Sequence, residues 1–205
     1  VIPIEIVMRT APVIPVLVIE DASHARAIAE ALVAGGLPVI EVTLRTPAAI
    51  DAIAEMAKVR GTIVGAGTVL DPGQLDAARA AGARFIVSPG LTEPLARAAE
   101  AAQIPFLPGV STAADIMRGL DLGLTRFKFF PAIAAGGLPA LSALAAPFHM
   151  ARFCPTGGIT LANAPDWLAH PSILCVGGTW IVRPGVPDLD AIEARAREAA
   201  RLARV

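Results

Sequence analysis

A lysine stands inside the apolar run "RFKFFPA" at 126–132. Phe127, Phe129 and Phe130 read as a buried strand that ends near Pro131. Strand side chains alternate between two faces, so Phe127 and Phe129 share one face while Lys128 and Phe130 share the other. An ammonium group buried without water or a partner is costly. Lys128 therefore either reaches a rim or does chemistry. Lysine is scarce here: of 17 basic residues only Lys58 and Lys128 are lysines. Lys58 closes a helical pattern in "IAEMAKVRG" and is expected in solvent. A neutral lysine amine attacks a carbonyl carbon and forms a Schiff base. The iminium then draws electrons from a neighbouring C–C bond. Such a reaction needs a group that moves protons. Glu41, in the strand-like run "PVIEVTL", is the carboxylate placed to do so if both side chains point to one interior. The plainer reading is a structural Lys–Glu pair that fills that interior.

Two arginines, Arg45 and Arg183, lie just past strand-like runs. Arg45 follows Glu41 by four residues and could clamp a carboxylate, or simply pair with an acidic neighbour at a rim. "PTGGIT" at 155–160 and "VGGTW" at 176–180 each carry a glycine pair at the end of an apolar run. Consecutive glycines can offer backbone N–H groups to an anion, although a lone pair more often marks a turn. The three histidines, His24, His149 and His170, are scattered over helical or loop segments, so no metal is expected. Trp167 and Trp180 read as packing residues.

These side chains need a scaffold. Eight apolar runs, at 13–19, 38–44, 62–66, 84–88, 104–108, 126–130, 152–155 and 173–177, alternate with helical patterns near 23–34, 47–59, 72–81, 92–102, 112–122, 138–145 and 162–169. A last amphipathic helix is expected over about 188–204. Asp21/Ser23, Thr46-Pro47, Asp71-Pro72, Thr92 and Ser111/Thr112 mark helix starts, and Gly35-Gly36, Gly61, Gly82 and Gly123 mark ends. Strand–helix alternation means a parallel sheet, and eight units favour a closed (β/α)8 TIM barrel, with an open doubly wound sheet as the alternative. No linker divides residues 1–205, so one α/β barrel domain is expected, with an N-terminal segment and a C-terminal helix. In such barrels the site lies at the C-terminal ends of the strands, where Gly, Pro and Thr cluster here.

With 17 basic and 18 acidic residues, the net charge of −1 argues against nucleic acid or an anionic membrane surface as the main partner. No apolar stretch reaches the ~20 residues that span a bilayer, and no signal-peptide pattern is seen. Cys154 and Cys175 lie in short apolar runs without CxxC spacing and read as core thiols in a reducing, cytoplasmic setting.

The motifs "GGLPVIEVTLRT", "IVGAGTVL", "VSPGLTEP", "PGVST", "FKFFPA", "RFCPTGGIT" and "CVGGTW" occur in order over about 11–185. Together they closely resemble the 2-keto-3-deoxy-6-phosphogluconate (KDPG) aldolase family, the class I aldolases of the Entner–Doudoroff pathway. The resemblance implies a (β/α)8 barrel, a homotrimer, and reversible cleavage to pyruvate and glyceraldehyde 3-phosphate with no cofactor. It implies that Lys128 is the Schiff-base lysine and Glu41 the acid/base. Arg45 and Thr68 would hold the pyruvate carboxylate, and Phe130 would wall the pyruvyl group. Thr156 matches the hydroxyl linked to stereochemical choice at C4. Gly157, Gly158, Gly178 and Thr179 match the phosphate site. Thr179 replaces the Ser of many members and keeps the hydroxyl. Ile133 stands where Glu is expected, and "VIPIEIV" is unusually apolar. Both could mark an added interface, so a trimeric barrel serving as an assembly component is the reading from another class. Aldolases for the galactonate analogue or for 4-hydroxy-2-oxoglutarate are the sister readings, and Thr156 favours the gluconate epimer by resemblance.

Overall fold

A computed structural model of the chain describes residues 2–204; Val1, at the head of the apolar N-terminal stretch, and Val205 lie outside them. Helix α1 (Ile4–Thr10) comes first. Eight further α-helices then follow strands: α2 (Ala25–Ala34), α3 (Ala49–Ala57), α4 (Pro72–Ala80), α5 (Glu93–Ala101), α6 (Ala113–Asp121), α7 (Gly137–Ala145), α8 (Ala164–Leu168) and α9 (Leu189–Ala200). The strands are β1 (Val13–Leu17), β2 (Val39–Thr43), β3 (Ile63–Gly67), β4 (Ile86–Val87), β5 (Phe106–Leu107), β6 (Gly109–Val110), β7 (Arg126–Phe129), β8 (Arg152–Pro155) and β9 (Val176–Gly178). All paired strands run parallel. Six form one sheet in the order β5-β4-β3-β2-β1-β9, and three form another in the order β6-β7-β8.

The two sheets meet at both junctions. Pro108 splits the fifth apolar run into β5 and β6, because proline has no N–H for the ladder. Its carbonyl still accepts from Lys128 N at 2.8 Å. On the other side, parallel bridges Phe153↔Ile173 and Thr156↔Gly177 connect β8 to the segment that becomes β9. Side chains alternate between two strand faces, and both faces are buried. On β7, Phe127 and Phe129 pack outward under the helices, against Phe153 and Trp167. Gly119 of α6 makes this possible, since a Cβ there would lie 2.4 Å from the Phe127 ring.

The inner faces hold a second, smaller apolar cluster: Val7, Met8, Ile14, Val39, Phe85, Val87, Leu107, Cys154, Leu174 and Cys175. Two of these, Val7 and Met8, come from α1. The apolar N-terminus is thus a helix whose buried side chains close this cluster, with Ile6 left exposed. That helix was absent from the sequence reading. Its signals are a Glu5/Arg9 pair four residues apart and Pro3 at its start. Glu5 also accepts from Arg126 Nη2 at 2.6 Å and Nε at 3.1 Å. The inward-facing residues of β7 therefore ascend from Arg126, fastened to α1, to Lys128, with Phe130 just past the strand end.

Helix starts follow the expected chemistry at several points. The Asp71 side chain accepts from Gln74 N, Asp188 from Ala191 N, and Thr112 with Asp115 forms a full capping box. Two residues depart from expectation: Thr92 stands at the start of α5 without a side-chain cap bond, and α3 begins later than Thr46, whose hydroxyl donates to Ile19 O instead, tying the end of β2 to the end of β1. At the C-terminus, Gly35 lets α9 lie on α2, because a Cβ there would fall 2.4 Å from Ala196 Cβ. Among the described residues no helix is long and apolar enough to cross a membrane.

Candidate active site

Lys128 Nζ donates to Glu41 Oε1 at 3.0 Å, and both side chains are almost fully buried, at 7% and 4% exposure. β7 and β2 supply them, from different sheets. The carboxylate reaches over the neighbouring strand to Gly67, two residues beyond its register partner Gly65, and fits because Gly67 has no side chain: a Cβ there would lie 2.1 Å from Glu41 Oε1. Gly65, one layer lower, similarly leaves room for the Phe85 ring. Glycine inside a strand marks close approach of another group, so "GAG" at 65–67 was the signal for this contact. The Phe130 ring centroid lies 5.3 Å from Lys128 Nζ, close enough for a cation–π contact. Phe130 also borders a cavity of about 430 Å³ lined by Val69, Ser88, Pro89, Gly90 and Val110. A buried amine in contact with one carboxylate and walled by an aromatic ring is equipped to lose its proton locally and attack a carbonyl.

The other candidates sit around this pair. Thr68 directly follows Gly67 and takes φ 57°, a left-handed conformation uncommon for a β-branched residue and costing about 1–3 kcal/mol. Arg45 is exposed past the end of β2, and among the described residues its guanidinium makes neither a hydrogen bond nor an ion pair. Thr156 is buried at the end of β8, with its hydroxyl 3.9 Å from the Cys154 thiol. Gly177 makes space for it, since a Cβ there would lie 2.2 Å from Thr156 Oγ1. Arg183 is exposed and lines a different cavity, with Val18, His24 and Val186. Among the described residues no three His, Cys, Asp or Glu side chains are grouped to hold a metal ion. Below the pair, burial, together with the adjacent Cys154 thiol, pushes Cys175 well above the usual thiol range.

The two glycine pairs differ in kind. Gly157 and Gly158 both have positive φ, 104° and 78°, a turn that glycine adopts without strain. The carbonyl of Thr156 accepts from Ala132 N at 2.8 Å, that of Gly157 from Ile133 N at 3.1 Å, and that of Gly158 from Asn163 Nδ2 at 3.1 Å. The N–H groups of Gly158 and Ile159 donate to no protein acceptor among the described residues, while that of Gly157 faces the Gly177 carbonyl across the Thr156↔Gly177 bridge. Two successive free amides beside a glycine turn form an anion-binding concavity. Gly177 and Gly178 instead continue β9, and packing accounts for both: Gly177 accommodates Thr156, and a Cβ on Gly178 would lie 1.9 Å from the Trp180 ring. What the second pair adds is Thr179, exposed just beyond it. Ile133 also has a local role, because its side chain rests on Gly158, where a Cβ would lie 2.6 Å from Ile133 Cγ1. Two residues escaped the sequence reading here, Gly67 and Asn163; the latter was legible only as a Thr-x-x-Asn spacing in "TLAN".

Residues 4–195 match the family model "Aldolase: KDPG and KHG aldolase". A 2-dehydro-3-deoxy-phosphogluconate aldolase of Zymomonas mobilis is 60% identical over 201 residues, spanning 98% of this chain and 97% of that protein. The crystal structure of the 2-keto-3-deoxy-6-phosphogluconate aldolase of Z. mobilis ZM4 with 3-phosphoglycerate superposes with a TM-score of 0.97 at 60% identity, covering 98% of this chain and 97% of that one. A Legionella pneumophila KDPG aldolase, with pyruvate captured at low pH as a covalent carbinolamine intermediate, gives 0.85 at 45% identity, with coverage of 97% and 95%.

Proposed function

The chain belongs to the family of KDPG and KHG aldolases, and we propose that it runs the class I reaction of that family on Lys128 and Glu41. It cleaves 2-keto-3-deoxy-6-phosphogluconate reversibly to pyruvate and glyceraldehyde 3-phosphate. The observation that carries the residue assignment is the 3.0 Å bond between two buried, oppositely charged groups. Glu41 takes a proton from the Lys128 ammonium, and the freed amine lone pair attacks C2 of the keto acid. Glu41 returns a proton to the carbinolamine hydroxyl, which leaves as water and gives the iminium. Glu41, again a carboxylate, takes the proton of the C4 hydroxyl, the C3–C4 bond breaks with its electrons moving into the iminium to form an enamine, and that proton is the one later given to C3. The aldehyde departs, C3 is protonated, and water hydrolyses the imine to pyruvate.

The remaining roles are those that the family resemblance implies, and position at the strand ends supports them. Arg45 and Thr68 hold the keto-acid carboxylate at the ends of β2 and β3. Phe130 walls the pyruvyl group, and Thr156 selects the configuration at C4. Gly157, Gly158 and Gly178, with Thr179, receive the phosphate, for which the free amides after Thr156 are the support. The two sheets act as one eight-stranded barrel, a reading supported by the ties at Pro108 and Thr156. The working form is a cytoplasmic homotrimer. Turnover of 4-hydroxy-2-oxoglutarate is the second reading, favoured by the family's own description. A coupled assay for pyruvate release tests the assignment: Lys128→Ala should abolish cleavage of both substrates in a folded protein, whereas residual cleavage above the uncatalysed rate would move the nucleophile elsewhere.

A further inference from the structure

The loop at 156–159 is held by its carbonyls, and the three ties are of different kinds. Those on Thr156 and Gly157 come from the backbone amides of Ala132 and Ile133. The one on Gly158 comes from a side chain, Asn163 Nδ2 at 3.1 Å. In a planar trans peptide the C=O and the next N–H point opposite ways. Holding the Gly158 carbonyl therefore aims the Ile159 N–H, as the other two ties aim those of Gly157 and Gly158. Asn163 is itself fixed, because its Oδ1 accepts from Thr160 N at 2.8 Å and its N–H donates to Thr160 Oγ1 at 3.4 Å. Gly158, at φ 78°, has no side chain to restrict it and keeps its conformation through that tie and the Ile133 side chain beneath it.

We propose that Asn163 is a positioning residue for phosphate recognition: it orients the second of two consecutive free amide donors, that of Ile159, and so sets the affinity for phosphorylated substrates without touching the bond-breaking step. This rests on the assignment of the Gly157–Gly158 loop as the phosphate site. Asn163→Ala should raise KM for 2-keto-3-deoxy-6-phosphogluconate roughly 10-fold, the scale of one or two lost hydrogen bonds, with little change in kcat. For 4-hydroxy-2-oxoglutarate, which carries no phosphate, kcat/KM should stay within about 2-fold. Borohydride trapping of pyruvate should match the wild type and serves as the check that the site is folded. If Asn163→Ala fails that check, Asn163→Asp is read instead. It keeps the acceptor for Thr160 N, loses the donor to Gly158 and adds a negative charge, so the KM rise should be larger.

Equal losses on both substrates would overturn the proposal and make Asn163 a general brace. Two controls separate it from the assignment beneath it: competition by inorganic phosphate in the wild type, and Thr179→Val. If phosphate competes and Thr179→Val raises KM selectively while Asn163→Ala does not, only the role of Asn163 is overturned. If phosphate does not compete and Thr179→Val is silent, the phosphate loop itself is misassigned, and Asn163 falls with it.

Discussion

At the scale of single residues, the Lys128–Glu41 contact separates nucleophile from proton carrier. Glu41→Gln keeps the shape and a hydrogen-bonding atom beside Nζ but cannot accept the proton. A general acid–base group contributes typically about 10²–10⁴-fold, so turnover should fall by that much while pyruvate still adds slowly to Lys128. Near-normal cleavage by a folded Glu41→Gln protein would leave Glu41 a structural partner only. Melting must be followed alongside, because removing one member of a buried ion pair can cost about 3–5 kcal/mol if the other stays charged. Both partners were legible in the sequence for a physical reason: a charged residue in an apolar strand has no bland place to go. Arg45 and the first glycine pair stood out by their place at strand ends. The complementary voids did not. That Gly67 is absent space for Glu41, or Gly177 for Thr156, depends on strand register, which one sequence does not display.

At the scale of elements, strands and helices were legible because parallel strands buried on both faces read as continuous apolar runs, and because caps punctuate the helices between them. The misses came where a local signal had two uses. Thr46 has the chemistry of an N-cap but spends its hydroxyl on the Ile19 carbonyl. The apolar start of the chain looked like an interface and is the helix that closes the inner cluster. Glu5 fastens that helix, and its two arginine partners hold its carboxyl below the ordinary value near 4.5: the hydrogen bonds from Arg9 and Arg126 outweigh the opposing effect of burial. A depressed carboxylate contributes stability that is present above the unfolded-state value and is lost as pH falls through the folded one. Glu5→Gln should therefore lower Tm at neutral pH by about 2–4 °C, corresponding to about 1 kcal/mol in a chain of this size. The gap to wild type should close below about pH 4.5. A gap that persists unchanged into acid would mean that packing of Val7 and Met8, not the ion pair, holds α1.

At the scale of the whole molecule, the residues that suggested an added interface have partly found local employment. Val7 and Met8 are buried, and Ile133 covers Gly158 while remaining 48% exposed. That weakens the case for an assembly component. Sedimentation should give a species of about three times the 21.0 kDa chain, and a much larger closed particle would revive the scaffold reading. Neither outcome bears on the chemistry as directly as covalent capture on the intact protein. Pyruvate plus borohydride should reduce the imine to a stable adduct of one pyruvyl group per chain. Peptide mapping should place it on Lys128, with Lys58 unmodified and the Lys128→Ala protein unlabelled. Absence of an adduct from active enzyme, or an adduct that persists in Lys128→Ala, would contradict the Schiff-base role of Lys128.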